Sequence, residues 1–458
     1  MDDTICAISS AAGTGGIGVL RMSGPAAHRV LKAIFRPRKR VRSFVGRRLY
    51  LGWVFDPDSN ADIDEIYAVF MKPPRTYTRE QVAEVYSHGG PAVMKAILAL
   101  MTRRGARLAE PGEFTRRAFL NGRIDLAQAE SVLDIIESES ESERACALAQ
   151  VKGLLSARIN GVRQEVLALL GEVEAEIDFP DEDLDLPPAD GRAARIDAAR
   201  AGIGRLIASY EEGRVLTQGA QALIVGRTNV GKSSLLNALS ERDRAIVTPI
   251  AGTTRDLVED VIHIKGVKFT LIDTAGLGTP RDAIEREGIE RVKKRIPEAD
   301  VILWVLDRSQ AYTAEDEEVR LAVQGRKVIA VLNKADLPPA VDGWCCGAVA
   351  ATTALRVEAS ALSGSGIDGL KEMLYAEAAD SPINRGSQSL VTNARHLDAL
   401  ASAEAALGRG RRFAGSHGGI AFLAFELRDA HRYLGQITGE TCAPDVLDEI
   451  FGKFCIGK

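Results

Sequence analysis

The sequence predicts a multidomain chain of α/β and all-α parts: an N-terminal α/β domain, then a helical domain interrupted by a second, inserted α/β unit. Three observations carry this reading. The 458 residues suffice for about three domains at roughly 150 residues each. The texture changes three times along the chain, from short apolar runs broken by turns, to long helical periodicity, to strand-loop-helix units, and then back to helix. Between a strand-like and a helix-like run stands the phosphate-loop pattern Gly-x4-Gly-Lys-Ser, beginning at Gly226.

Residues 1–119 mix apolar runs such as "IGVLRM" and "EIYAVFM" with the turn signals "GTGG", "KPPR" and "SHGG", the texture of an α/β domain. Residues 120–217 read as helix. Val151, Leu155, Ile159, Val162, Val166, Leu169, Val173 and Ile177 recur at steps of three and four and predict one apolar helix face, a core or helix-helix seam. "DFPDEDLDLPPADGR", 178–192, is an acidic, proline-broken connector. The strand "QALIVG" opens the inserted unit, 218–380. Helical texture returns over 381–458 in "LVTNARHLDALASAEAAL" and "IAFLAFELRDAHRYLGQI". One interrupted helical domain is the simplest account; two separate helical domains remain the alternative.

Bulk properties exclude several classes. A hydrophobic fraction of 46% supports a real core. No apolar run approaches the roughly 18 to 20 residues that span a bilayer, so no membrane role is expected. The start "MDDTICAISS" is acidic where an export signal is basic. Cys6, Cys146, Cys345, Cys346, Cys442 and Cys455 lack zinc-like or redox CxxC spacing, so a reduced, cytoplasmic protein is expected. A net charge of −5 argues against wholesale nucleic-acid binding. Two local basic stretches, "RPRKRVRSFVGRR" (36–48) and "RGRR" (409–412), stay open between solvated loop and RNA contact.

The inserted unit carries the strongest chemistry. "GRTNVGKSS" places Gly226, Asn229, Val230, Gly231, Lys232, Ser233 and Ser234 between strand and helix, where backbone N–H groups and the helix N-terminus wrap phosphates. Lys232 can reach the β and γ phosphates, and the Ser233 hydroxyl can ligate Mg²⁺. In "TTRD", Thr254 is the candidate second Mg²⁺ ligand. Asp273, Thr274, Ala275 and Gly276 close the strand "KFTLID"; Asp273 can hold the metal through water, and the Gly276 N–H can sense the γ-phosphate. "VIAVLNKAD" ends in Asn333, Lys334, Ala335 and Asp336. The Asp336 carboxylate accepts from the guanine ring N–H and amino group, a donor pair adenine lacks. Ser360, Ala361 and Leu362 complete the base pocket. Together these motifs specify a Ras-like P-loop GTPase domain. Leu277 follows Gly276 where Ras-like enzymes carry a water-orienting glutamine, so another group must align the water.

"GGIGVLRMSG", "HGGPAVM", "EPGEFTRRAFLNGRIDLAQAE", "IAGTTRD" and the terminal "FCIGK" come from all parts of the chain, which resembles the bacterial tRNA-modification GTPase family called MnmE or TrmE. The resemblance implies a folate-binding, dimerising N-terminal domain (homodimer) and a helical domain with an inserted GTPase domain. It further implies modification of a tRNA wobble uridine with the FAD-dependent partner MnmG, in a heterotetramer, using formyl- or methylene-tetrahydrofolate. For GTP it implies, besides the residues above, the loop Thr248, Pro249, Ile250, Ala251, Gly252 and Thr253. It makes Glu285 the residue that organises the attacking water through a second water, and supplies K⁺ in place of an arginine finger, held by Asn229, Thr248, Ile250 and Thr253. Thr228 departs from the proline often found there, a change of loop stiffness more than of ligation.

For folate, the matching positions are Arg21, Glu84, Arg123 and Lys458, with Arg123 standing where lysine is usual. A carboxylate such as Glu84 suits the donor edge of a pterin, and cations suit the glutamate tail. Cys455 would lie close to the folate as a catalytic candidate; without the resemblance, a lone cysteine reads as a small buried hydrophobe. His88 reads as a turn-stabilising residue rather than a base. A regulatory or ribosome-assembly GTPase acting as a binding switch is the alternative function. The lack of a terminal GXXG module and the presence of "FCIGK" favour the tRNA-modifying enzyme.

Overall fold

Alternation of buried and exposed residues along β2, β4 and β6 builds the first sheet. The computed structural model describes residues 3–39, 41, 43–179, 189–240, 259–273, 295–340, 346–378, 391–415 and 419–458. They gather into two compact units: Met1–Leu133 with Val151–Ala199 and Ser402–Lys458, and Asp134–Gln150 with Arg200–Ala401.

In the first unit the chain runs β1 (Ile5–Ile8), β2 (Gly15–Ser23), α1 (Ala27–Ile34), β3 (Phe35–Pro37), β4 (Leu49–Asp56), β5 (Ala61–Met71), β6 (Val82–Gly89), α2 (Pro91–Arg103) and β7 (Arg107–Leu108). The sheet order is β3-β4-β5-β6-β2-β1-β7, antiparallel except for the β1–β7 pair. Leu20, Met22, Val54, Ile66, Ala68, Phe70, Ala83 and Val85 face one side and are buried with the apolar residues of α1 and α2. The intervening residues face the other side, because successive side chains alternate. Arg21 there pairs in register with Glu84, and Tyr86 with Tyr67.

Helices follow: α3 (Glu113–Leu120), α4 (Leu126–Glu137), α5 (Glu141–Val151), α6 (Leu154–Asp178), α7 (Ala189–Ala208) and α8 (Tyr210–Gln218), with Ala394–Gly410, Ile420–Thr438 and Pro444–Gly452 near the end. α6 lies against Ile420–Thr438. Arg163 pairs with Glu440 and Glu174 with Arg428, so the two helices run antiparallel. The expected apolar stripe needs correction at both ends. Leu155, Ile159, Val166, Leu169 and Val173 are buried, but Val151 belongs to α5, since Gly153 at φ 82° breaks the helix, and Ile177 is exposed.

The second unit holds β8 (Ala220–Val225), α9 (Lys232–Ser240), β9 (Glu259–Ile264), β10 (Val267–Asp273), β11 (Val301–Asp307), β12 (Val328–Asn333) and β13 (Arg356–Glu358). The order is β13-β12-β11-β8-β10-β9, parallel except for the β9–β10 hairpin. β11 and β12 are buried at every position, as central parallel strands covered on both faces must be. The phosphate loop, Asp273, Asp307 and Asn333 therefore all stand at carboxyl ends of strands, where such sheets bind ligands. α5 packs on this unit: the Ser142 hydroxyl donates to Gly266 O at the β9–β10 turn, Lys268 pairs with Glu139 at 2.6 Å, and Cys146 joins the core. Burial pushes the Cys146 thiol up to about 12.

A fully buried cation organises the first unit. The Arg117 guanidinium donates to Asp3 at 2.7 Å, Glu113 at 2.8 Å and Glu80 at 3.3 Å. Glu113 also accepts from Arg107 at 2.6 Å, and Ser23 donates to Glu80 at 2.6 Å. Burial alone would raise the Glu113 carboxyl; hydrogen bonds from Arg107, the Glu110 N–H and Arg117 overcome it and hold the group below the usual range. Replacing Arg117 with Met leaves these carboxylates without their buried cation and should destabilise this unit by about 3–5 kcal/mol, read as lost hydrogen-exchange protection of the β2 and β6 amides. Because the folded Glu113 carboxyl titrates below its unfolded value, its contribution is full above the ordinary carboxylate range. That contribution is lost as pH falls through the depressed value, so acid should narrow the gap between variant and parent.

Candidate functional site

Two sites emerge, one in each unit. In the second unit the phosphate loop is shaped by backbone that few residues tolerate: Asn229 has φ 61° and Gly231 φ 95°. A Cβ on Gly231 would lie 2.4 Å from Asn333 Nδ2, so only glycine lets the loop meet β12. Asn333 Nδ2 donates to Val230 O at 2.8 Å, and its Oδ1 accepts from the Ala361 N–H at 3.1 Å. Lys334 Nζ donates to Asn229 O at 3.2 Å and to Asp307 at 2.6 Å. The Ser360 hydroxyl donates to Asp336 at 2.5 Å, which fixes the carboxylate expected to read guanine. The structure thus brings together Asn229, Val230, Asn333, Lys334, Asp336, Ser360 and Ala361.

Lys232 is buried, and its ammonium donates to Gly226 O at 3.1 Å and Arg227 O at 2.8 Å. Burial lowers its pKa, against the opposing pull of Asp273. Ser233, in the first turn of α9, donates to Asp273 Oδ2 at 2.7 Å. The other Asp273 oxygen, Oδ1, is buried with no hydrogen-bond partner among the described residues. A hydroxyl and a carboxylate with a spare buried oxygen are the donor set a hard divalent cation requires. Thr248, Pro249, Ile250, Ala251, Gly252, Thr253, Thr254, Thr274, Ala275, Gly276, Leu277 and Glu285 lie outside the described residues.

Asp307 was not anticipated from the sequence. It is buried at the end of β11; burial works against its charge, but hydrogen bonds from Lys334 and Ser309 hold the carboxyl below the usual range. An aspartate closing the apolar run "VILWVLD" was the available signal.

The second site lies on the first unit's sheet. Arg21 Nε donates to Glu84 Oε1 at 2.7 Å, and the Tyr86 hydroxyl donates to Glu84 Oε2 at 2.6 Å. Burial and the Glu84 carboxylate push the Tyr86 phenol up to about 12. Both Glu84 oxygens already accept within the protein, so any further donor must use their remaining lone pairs. The Arg21 guanidinium lies 5.9 Å from the Tyr77 ring and 5.8 Å from Phe114. Arg123 lies 4.7 Å over Tyr77 and donates to Tyr77 O at 3.0 Å. Arg123 also borders a cavity of about 560 Å³, with Leu120, Gln128, Thr438 and Leu447 in its wall.

The chain end joins this cluster, as Lys458 O accepts from the Phe114 N–H at 3.1 Å and Ile456 bridges Pro111. Cys455 is a free, exposed thiol, which removes the buried-hydrophobe reading. Tyr77, Tyr86 and Phe114 were not singled out in the sequence; aromatic residues in an ordinary turn, strand and helix gave no signal. His88 stands in β6 rather than in a turn: its backbone N–H donates to Asp64 of the neighbouring β5 at 2.9 Å, and its Nδ1 lies 2.7 Å from the same carboxylate, so it ties two strands together where a turn-stabilising role was expected.

The chain matches the family model described as the MnmE helical domain over residues 126–455 and that described as the GTP-binding protein TrmE N-terminus over residues 4–123. It is 44% identical over 461 residues to the tRNA modification GTPase MnmE of Geobacter sulfurreducens and 43% identical over 461 residues to that of Geotalea uraniireducens. It is 40% identical over 457 residues to that of Natranaerobius thermophilus. Each alignment covers 100% of both chains.

Asp307 should matter to nucleotide binding without touching nucleotide. Asp307→Asn removes the buried counter-ion that holds Lys334 beside the phosphate loop. Hydrogen bonds to charged groups contribute about 1.5–3 kcal/mol, so GDP and GTP affinities should fall together by about tenfold to a hundredfold in fluorescent-nucleotide titrations. Unchanged affinity for both would show that Lys334 is held by other means.

Proposed function

The chain belongs to the MnmE (TrmE) family of tRNA modification GTPases, and from that premise we propose that its GTP hydrolysis drives modification of the wobble uridine of tRNA with a folate one-carbon donor. The observation that carries this reading is the convergence of Arg21, Glu84, Tyr77, Arg123 and the Lys458 end in a unit separate from the nucleotide pocket. A GTPase acting as a binding switch has no use for a second site of this kind. Its chemistry suits a pterin with an acidic tail: a half-buried carboxylate for the donor edge, aromatic faces, and cations. The neighbouring cavity lies within the range of small-molecule sites. A formyl- or methylene-tetrahydrofolate held there supplies the one-carbon unit, with Cys455 at its margin.

In the nucleotide unit, Asp336, set by Ser360, selects guanine, while the phosphate-loop amides and Lys232 bind the phosphates. Ser233 and Thr254, with Asp273 through water, would hold Mg²⁺, and the unpartnered Asp273 Oδ1 supports that assignment. Asn229, Thr248, Ile250 and Thr253 would hold K⁺, the positive charge that a loose phosphoryl-transfer transition state requires. Glu285 orients the water indirectly, since Leu277 cannot. Residues 1–119 form the folate-binding domain, 218–380 the inserted GTPase domain, and 120–217 with 381–458 the helical domain. The exposed apolar side chains Leu49, Trp53 and Tyr67 on one face of the first sheet support a homodimer. An FAD-dependent MnmG-type partner completes a heterotetramer in the cytoplasm. Among the described residues no helix is long and apolar enough to cross a membrane.

Glu84→Ala should abolish binding of 5-formyltetrahydrofolate in calorimetry while GTP turnover stays at the parent rate. In cells relying on this variant, mass analysis of tRNA nucleosides should show an unmodified wobble uridine. Modified tRNA from a folate-deficient variant would overturn the role of folate. Glu285→Ala should keep GTP affinity, yet slow single-turnover hydrolysis in KCl by orders of magnitude, because the carboxylate acts only when water is aligned. The parent should also be much slower in NaCl than in KCl at equal ionic strength. Indifference to the cation would remove K⁺, and near-parental turnover would remove Glu285.

A further inference from the structure

Seven of the thirteen residues 36–48 are lysine or arginine, in a chain of net charge −5. Two of them, Arg40 and Arg42, lie outside the described residues. The stretch leaves the edge strand β3 and is held by the backbone at Arg38, Val45 and Arg47. The Arg38 N–H donates to Leu51 O at 2.9 Å, the Val45 N–H to the Tyr50 hydroxyl at 2.7 Å, and the Arg47 N–H to Phe70 O at 2.9 Å. Phe44 is the hub. Buried in the middle of the stretch, it packs 5.1 Å from Tyr50, 6.0 Å from His28 and 6.1 Å from Phe35. An arrangement pinned in this way presents its charges with little further loss of chain entropy on binding.

Other cations surround the same hub. Lys32, one turn after His28 on α1, and Lys72 both act on the His28 ring, whose pKa is lowered by burial first and then by these two ammonium groups. Arg47 donates to Arg75 O, and Arg48 lies over the Tyr50 ring. Lys32, Arg36, Arg38, Lys39, Arg47, Arg48, Lys72 and Arg75 are all exposed. Opposing carboxylates are sparse: Asp62 lies 3.5 Å from Arg36 and Glu65 3.8 Å from Arg38, both in exposed pairs that contribute little.

We propose that this pinned basic surface around Phe44 is a docking site for the phosphate backbone of tRNA. The proposal rests on the reading of the chain as a tRNA-modifying enzyme and assigns the RNA a place on the first unit. Lysine and arginine presented as separate exposed charges bind a polyphosphate without reading its bases. An anionic membrane fits less well, because Phe44 is turned inward and interfacial binding draws on exposed apolar side chains beside the charges.

The test is filter binding of unfractionated tRNA to the full-length protein over a salt series, with the charge reversal K32E/K39E/R48E/K72E and the charge-retaining K32R/K39R/R48K/K72R. Reversal should weaken tRNA binding at least about thirtyfold near 0.1 M salt and lower the slope of log affinity against log salt by about 3, at roughly 0.7–0.9 per phosphate contact. The charge-retaining variant should stay within about threefold of the parent, and all three proteins should hydrolyse GTP at one rate. If the parent binds tRNA and the reversal binds it equally, the surface is wrong while the tRNA-modifying reading stands. If no form binds tRNA even at low salt, the surface is again wrong and the tRNA reading itself is weakened. Loss confined to phosphatidylserine vesicles, with tRNA binding intact, would overturn RNA in favour of a membrane.

Discussion

The side-chain amide of Asn333 is the constraint on which the nucleotide unit depends. Its nitrogen holds the phosphate loop at Val230 O and its oxygen holds the Ala361 N–H, so the loops after β8, β12 and β13 are joined through one planar group. β11 lies between β8 and β12, and its terminal Asp307 fixes Lys334 against Asn229. Four strand ends are coupled in this way, and none can shift without breaking one of these polar contacts. The absence of a side chain on Gly231 follows from the same contact, since any Cβ would displace the amide. Motifs separated by about a hundred residues in sequence are one mechanical object.

That rigidity comes at a cost in polar groups that the protein alone does not fully satisfy. The Lys232 ammonium is buried against two carbonyls, with lowered pKa, and Asp273 keeps a buried oxygen without a partner among the described residues. Each arrangement is unfavourable in isolation. Phosphates beside Lys232 and a cation beside Asp273 would supply the missing partners, and ligand binding then stabilises the folded state by mass action. The first unit follows a different plan. Its buried Arg117 is fully matched by Asp3, Glu80 and Glu113, so that network stiffens the sheet. The less buried pair Arg21–Glu84 keeps one edge toward aromatic rings and solvent.

What the sequence revealed follows from how locally each feature is encoded. The phosphate loop, the Asn333–Asp336 segment and Ser360–Ala361 are short runs whose backbone and chemistry need particular residues in order, so they were legible. The strands "QALIVG", "KFTLID" and "VIAVLN" were legible from continuous apolar runs. Asp307 was not, because an aspartate after a strand carries no spacing signature and its importance arises from Lys334 across the sheet. Tyr77, Phe114 and Tyr86 were missed for the same reason: they meet Arg21, Glu84 and Arg123 through strand pairing, a turn and the start of α3. The helical stripe was right along its middle and wrong at its ends, where Gly153 interrupts a periodicity that composition alone carries through. Residues 248–254 and Glu285 lie outside the described residues.

Polar packing is the other thing periodicity does not see. Helix α5, "ESERACALAQV", has no strong apolar face, yet it belongs with the nucleotide unit. Its neighbourhood is polar: Ser142 meets Gly266, Glu139 meets Lys268, and Gln150 donates to Thr392 at 2.9 Å, while Cys146 supplies the apolar contact. Single hydrogen bonds of this kind contribute modestly; the Gln150–Thr392 bond is buried and leaves a group unpaired if it breaks, while the Ser142 and Glu139 contacts are partly or fully exposed, so the helix is held by several small contributions that its composition does not show. The turn they grip joins β9 to β10. In the chain, that hairpin follows the segment with Thr254 and ends on Asp273. A helix from outside residues 218–380 is therefore bonded to the stretch of sheet that connects two of the nucleotide motifs. The physical limits of the nucleotide unit are set by these hydrogen bonds rather than by the strand at which its composition begins.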